Sequence, residues 1–236
     1  MFYKILNKYL NHHGFQYQVG LNVDTRPFNP QGKCQPGGLY FTDLDNVAKF
    51  IEYGCHVAEI SLPEGEEIYK DPEGDKQKAH QIIINKYYPI KQLSAWQDPT
   101  FCLKAVQQNG MSLEFVAQQT EELCLLAVQQ QGLALMHVNR QTEKICLAAI
   151  RQNPMALMFV RIQTDTICEE TIKNDPLALV FIKHQTEHLC LLAVKQNGLA
   201  LKYVHCQSIE VQKAAIKQNP KAAMYVKSIL SKPTLF

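Results

Sequence analysis

The chain has 236 residues, enough for one elongated or two compact domains. With 46% hydrophobic and 19% charged residues it can fill a core, which excludes a disordered tail. A net charge of +2 is too small for an electrostatic footprint on nucleic acid, and residues 1–97 hold ten Lys and Arg against eleven Asp and Glu.

The opening run Met1-Phe-Tyr-Lys-Ile-Leu-Asn-Lys8 is broken by Lys4, Asn7 and Lys8, which is unlike the unbroken apolar stretch of a secretory signal. No segment approaches the roughly 18 apolar residues of a membrane helix. Eight cysteines without a signal point to reduced thiols and a cytoplasmic location, in a host cell as readily as in the producing one.

Residues 1–90 carry no internal period and read as a small α+β head domain. Strands are predicted over 2–6, 14–17, 38–42, 56–62 and 67–69. A helix is predicted over 44–53, capped by Asp43 and ended by Gly54. Pro72-Glu-Gly74 is a turn, and a second helix is predicted over 75–84. Residues 91–97 form a junction whose Trp96 marks it as docked rather than as a flexible linker.

From 98 to 229 the sequence is periodic. Thr or Ser stands at 120, 142, 164, 186 and 208, a step of 22 residues. Gly or Pro keeps the same step at Gly110, Gly132, Pro154, Pro176, Gly198 and Pro220, as does cysteine at 102, 124, 146, 168 and 190. So short a period means one supersecondary unit stacked about six times, an α-solenoid of two-helix repeats. Thr120 caps the first helix of its repeat, and Glu121 and Glu122 suit the positive end of the dipole. Leu123, Cys124, Ala127 and Val128 make one apolar stripe. Asn153-Pro154, Asp175-Pro176 and Asn219-Pro220 each pair an N-cap with proline at the first helical position, so a second short helix begins there.

Gln119, Gln141, Gln163, Gln185 and Gln207 precede the caps and are expected to bond turn backbones between repeats. In the last repeat Gln212 replaces the cysteine and Ala223 the leucine, the polar face of a terminal cap. Residues 230–236 are a tail expected to fray.

The phrase Leu191-Leu-Ala-Val-Lys-Gln-Asn-Gly-Leu-Ala-Leu-Lys-Tyr-Val204 and its copies resemble the helical repeat of domain-of-unknown-function family 4116. That family recurs in giant viruses of amoebae and in intracellular bacteria. The head resembles the leading segment of uncharacterised giant-virus repeat proteins through Asn11-His-His-Gly-Phe-Gln-Tyr17, Cys34-Gln-Pro-Gly-Gly-Leu-Tyr-Phe-Thr42, Tyr53-Gly54 and Ile68-Tyr-Lys-Asp71. Together the resemblances imply a viral or bacterial protein that acts on a host protein partner. They assign no reaction and no cofactor.

Several constellations offer chemistry. Gly38-Leu-Tyr-Phe-Thr42, then a helix, then the strand bearing Glu59, is similar to the middle of an ADP-ribosyltransferase fold. That resemblance implies NAD, with Tyr40 stacking on the nicotinamide and Glu59 orienting the ribose. The first strand lacks the Arg or His of that fold, so His13 or Lys4 would have to substitute. His12, His13, Cys34, Cys55 and His56 are conceivable zinc ligands, but no short Cys-x-x-Cys clip exists. The cysteine ladder reads as core packing. Basic ladders run at Arg151, Lys173, Lys195, Lys217 and at Arg161, Lys183, His205, Lys227, the second beside the acidic row Glu121, Glu143, Asp165 and Glu187. Leu125, Leu147 and Leu191, with Lys173 and Lys195, are the candidate partner surface, and Met136, Met158, Val180 and Met224 form a second soft stripe. The reading is a non-catalytic interaction scaffold that needs no metal, membrane or nucleic acid; the competing reading is an NAD-dependent transferase in the head.

Overall fold

A computed structural model describes residues 1–30, 35–72 and 74–227. The chain divides into two compact units, Met1–Ala127 and the residues from Val128 onward.

The first unit opens with strand β1 (Phe2–Leu6), the hairpin β2 (Asn11–His12) and β3 (Phe15–Gln16), and strands β4 (Gly20–Val23) and β5 (Leu39–Phe41). A 3-10 helix over Leu44–Tyr53 follows, its N-cap Asp43 accepting from the Asn46 amide. Then come β6 (His56–Ser61), β7 (Tyr69–Lys70), β8 (Gln77–Ala79) and β9 (Gln81–Pro89). Antiparallel pairing gives a four-stranded sheet in the order β1-β6-β9-β4 and a smaller sheet β5-β8-β7. Tyr3 and Thr42 exchange backbone bonds of 2.7 and 2.8 Å, which ties the free edge of β1 to the end of β5.

The helix predicted over 75–84 is a correction: those residues form β8 and the first part of β9. Ile82-Ile83-Ile84 is a β-branched run that suits a pleated, two-sided burial, and it pairs with β4 on one edge and β6 on the other. Strand β4 escapes sequence reading because its Leu21 and Val23 face solvent at a sheet edge. Gly54 is required by close approach, since a Cβ there would sit 2.1 Å from the Leu6 carbonyl oxygen.

Trp96 is buried, donates its indole N–H to the Ile90 carbonyl at 2.9 Å, and packs on Phe101 and Phe115. Helix α1 (Pro99–Gln108) packs against the helix Leu44–Tyr53. There Gln108 donates to the Asp45 carbonyl at 2.7 Å, and Lys104 lies 3.4 Å from the Asp45 carboxylate. The head and the first repeat are therefore one packed body.

The repeats have the predicted period with one difference. Helices α2 (Glu121–Gln130), α3 (Glu143–Gln152), α4 (Asp165–Asn174), α5 (Glu187–Gln196) and α6 (Ile209–Gln218) are α-helical. The second element of each repeat is a 3-10 helix of six residues, for example Pro154–Phe159. It runs from an Asn or Asp cap (Gln131, without a side-chain cap bond, before Gly132–His137) to an extended Val or Ile within so few residues that an i→i+3 ladder spans it. Thr142, Thr164, Thr186 and Ser208 accept from the amide three residues on, and Asn153, Asp175, Asn197 and Asn219 accept from the amide two residues on. Ala149, Ile150, Ala193, Val194, Leu157, Leu179 and Leu201 are buried. Thr171 takes the place of the small alanine and satisfies its hydroxyl on the Ile167 carbonyl at 2.8 Å.

Gln141, Gln163, Gln185 and Gln207 form the predicted ladder. Gln185 donates to the Leu179 carbonyl at 3.1 Å and to the Tyr203 carbonyl of the next repeat at 3.0 Å, while its Oε1 accepts from the His205 amide at 2.9 Å. Gln141, Gln163 and Gln207 repeat this clamp. Gly132 and Gly198 lie against the next repeat, where an added Cβ would meet the Ala149 and Ala215 carbonyl oxygens at 2.5 and 2.4 Å.

Candidate functional site

A cleft of about 150 Å³ opens in the head where β1, the β2–β3 hairpin, β5 and the helix Leu44–Tyr53 meet. Tyr40 and Phe41 come from β5, Phe50 and Tyr53 from the helix, and His12 and His13 from the hairpin tip. His13 takes φ +51° and Gly14 φ +81°, the left-handed pair of a tight two-residue hairpin turn. That turn sets the His13 ring beside His12, with ring centroids 4.2 Å apart and the planes tilted by 36°.

Lys4 reaches the cleft from β1 and is only 4% exposed. Its Nζ donates to the Tyr40 carbonyl at 2.7 Å, lies 3.3 Å from His12 Nδ1 and sits 4.9 Å from the centroid of the Tyr17 ring. Burial pushes the Lys4 ammonium down to about 7. His12 is pushed down to about 4 by burial first, then by the charges of Lys4 and His13.

Of the transferase candidates, the structure brings His13 and Tyr40 to this cleft and leaves Glu59 outside its lining. Glu59 lies on β6 opposite Tyr3, and its carboxylate accepts from the Tyr88 hydroxyl at 2.7 Å and pairs with Lys86 at 3.1 Å. The expected trio therefore does not converge. Of the zinc candidates, His12 and His13 line the cleft, Cys55 Sγ lies 3.2 Å from its neighbour His56 Nδ1, and Cys34 falls outside the described residues. Sequence reading missed the Lys4–His12 pair, although a lysine alternating with Phe2 and Leu6 on one strand face was a usable signal.

Among the repeats, Cys102, Cys124, Cys146, Cys168 and Cys190 are free and buried. Burial raises each thiol, Cys190 to about 11, so none is a ready nucleophile. Leu125, Leu147 and Leu191 are half-buried, while Lys173 and Lys195 are exposed. Met136, Met158, Val180 and Met224 stand further out, at 48%, 51%, 44% and 74% exposure. In the second basic ladder, two side chains are tied to backbone carbonyls. Arg161 donates to the Asn139 and Val138 carbonyls at 2.7 and 3.0 Å, and Lys227 to the Val204 carbonyl at 2.8 Å. In the acidic row, Glu143 accepts from the Thr164 hydroxyl at 2.8 Å. No helix among the described residues is long and apolar enough to cross a membrane.

The class is thus an α+β head followed by a helical-repeat solenoid. Residues 120–163 match the family described as Domain of unknown function (DUF4116). Among curated proteins, Uncharacterized protein R869 of Acanthamoeba polyphaga mimivirus is 34% identical over 101 residues, 41% of this chain and 73% of that protein. Putative ankyrin repeat protein R868 of the same virus is 35% identical over 102 residues, 41% of this chain and 51% of that one. Putative ankyrin repeat protein R229 is 34% identical over 88 residues, 34% of this chain and 29% of that one. The chain spans about half or less of the length of these two ankyrin-named relatives. No solved structure matches it. The chain belongs to the same family as Uncharacterized protein R869 of that virus.

Proposed function

We propose that the protein is a non-catalytic scaffold whose repeats hold a protein partner, in the cytoplasm of an infected host cell. One observation carries this reading. At a single repeat position Met136, Met158, Val180 and Met224 leave apolar side chains in solvent, after stacking has consumed the cysteines, small residues and glutamines. Their 3-10 helices touch their neighbours in order, so the side chains make a continuous soft strip, interrupted only by Lys202. Methionine adapts to varied surfaces, and repeat arrays lend themselves to extended contacts. Half-buried Leu147 and Leu191, with exposed Lys173 and Lys195, are a second candidate contact on the α-helices. Two relatives named as putative ankyrin repeat proteins support the same reading, since they too are named for repeats.

The test is affinity capture from an amoebal lysate with the full chain and with a Met136→Glu/Met158→Glu variant, alongside Leu147→Glu. A partner retained by wild type and lost from the folded methionine variant supports the strip. Equal recovery from both removes it.

A transferase in the head is the second reading, favoured by Tyr40 and His13 sharing a cleft. Transfer from labelled NAD to a host protein, lost in Tyr40→Ala, would establish it. Glu59, held by Tyr88 and Lys86, is not in place for its expected role.

A further inference from the structure

We propose that the head cleft binds a small planar organic anion, an aromatic carboxylate in its simplest form. The site is separate from the repeat surface, and the inference stands whether or not the scaffold reading does.

The walls are rings. Tyr40, Phe41, Phe50 and Tyr53 with the two histidines leave a space of about 150 Å³. An apolar cavity of about that size accepts benzene, so one six-membered ring is the matching occupant. The charge of the lining selects the rest of the ligand. Among the described residues the lining holds Lys4 and Lys76 and no Asp or Glu, and Lys76 is paired with the Asp71 carboxylate at 3.8 Å, which leaves Lys4 to set the charge.

Lys4 is the anchor. It is buried, and among the described residues it enters no ion pair. Its two neutral acceptors are the Tyr40 carbonyl and His12 Nδ1. With Nδ1 accepting from a protonated lysine, the imidazole carries its hydrogen on Nε2, and that atom is buried without a hydrogen-bond partner among the described residues. Lys4 is therefore a buried cation lacking a counter-charge, while the orphan Nε2–H leaves the far side of the imidazole. A carboxylate on Lys4 supplies that counter-charge, while its ring fills the aromatic space. An amide of the same shape can accept but cannot neutralise Lys4.

The test uses the full chain and three compounds of one shape: benzoate, benzamide and benzamidine. Calorimetric titration is expected to show benzoate bound about tenfold more tightly than benzamide, with cationic benzamidine weakest. Lys4→Met is expected to reduce benzoate to the benzamide level with the circular dichroism unchanged. Benzoate no tighter than benzamide, no benzoate binding at millimolar concentration, or a preference that survives in Lys4→Met overturns the proposal.

Should Lys4→Met not fold, proton linkage in the wild type decides. Lys4 is faced by His12 and the Tyr17 ring, and shares the cleft with His13, Tyr40, Tyr53 and Lys76. At about pH 8.5 the neutral amine must gain a proton as it meets an anion, so benzoate binding draws up close to one proton and benzamide none. Titrations in two buffers of different ionisation enthalpy read that uptake. Equal uptake for both compounds overturns the proposal.

Discussion

Replacing Gln185 tests whether the glutamine ladder joins the repeats. Its amide nitrogen serves the Leu179 and Tyr203 carbonyls at 3.1 and 3.0 Å, and its oxygen receives the His205 amide at 2.9 Å. At about 1 kcal/mol for each bond, Gln185→Leu is expected to cost roughly 2–3 kcal/mol, since the Tyr203 carbonyl and the His205 amide lose this partner and the Leu179 carbonyl keeps only the Ile182 amide. Gln185→Glu keeps the shape and the bond from His205, but turns a carboxylate oxygen towards two carbonyl oxygens. Once protonated, the introduced carboxyl group can donate to one of them, so folding favours its acid form and raises its pKa above the usual value of about 4.3. The sign follows: an acid raised on folding is relatively stabilised at low pH, and that contribution is lost as pH rises through the folded pKa. Urea unfolding followed by circular dichroism should therefore show a deficit of about 2–3 kcal/mol at pH 7 that shrinks by pH 4, measured against wild type at each pH. Amide exchange adds a local readout, because the His205 N–H should lose protection in Gln185→Leu and keep it in Gln185→Glu. A Gln185→Glu chain as stable as wild type at pH 7, or a deficit equal at both pH values, would refute the clamp.

Gly132→Ala is expected to destabilise by about 1–3 kcal/mol, because the new methyl meets the Ala149 carbonyl oxygen at 2.5 Å; thermal unfolding measures it. Lys4→Met should stabilise at pH 6. The unfolded lysine titrates near 10.5 and the folded one at about 7, so the burial cost is fully present below pH 7 and relieved as pH climbs towards 10.5. That cost is roughly 5 kcal/mol, from which the lost bond to the Tyr40 carbonyl subtracts about 1 kcal/mol, and denaturation at pH 6 and pH 10 should show the gain fading. A thiol reagent should modify Cys55 and Cys206 rapidly, while Cys102, Cys124, Cys146, Cys168 and Cys190 react only on unfolding; peptide mass mapping separates the two sets.

The repeats were legible because their determinants are local. Thr142 caps a helix that begins one residue later, and Gln141 reaches a carbonyl only 18 residues on. A 22-residue period therefore displays both the unit and its neighbour contacts in one dimension. Even there the second element's 3-10 form came from chain length between caps, which pattern reading took for an ordinary short helix. The soft strip was also visible as a period, but its exposure beyond that of the Leu125 row was not.

The head is the opposite case. Strand β9 pairs with β4, some sixty residues earlier, and with β6, so the Ile82–Ile84 run takes its conformation from partners that no local signal names. The same distant pairing places Lys4 beneath the hairpin and against the Tyr40 carbonyl, and holds Glu59 to Tyr88 away from the cleft. Sequence alone determined the repeating unit, its caps and its ladder, since each is completed within one period of itself. The cleft, its buried lysine and the identity of its walls were decided only by tertiary closure, because desolvation depends on what folds over a side chain and not on its neighbours along the strand.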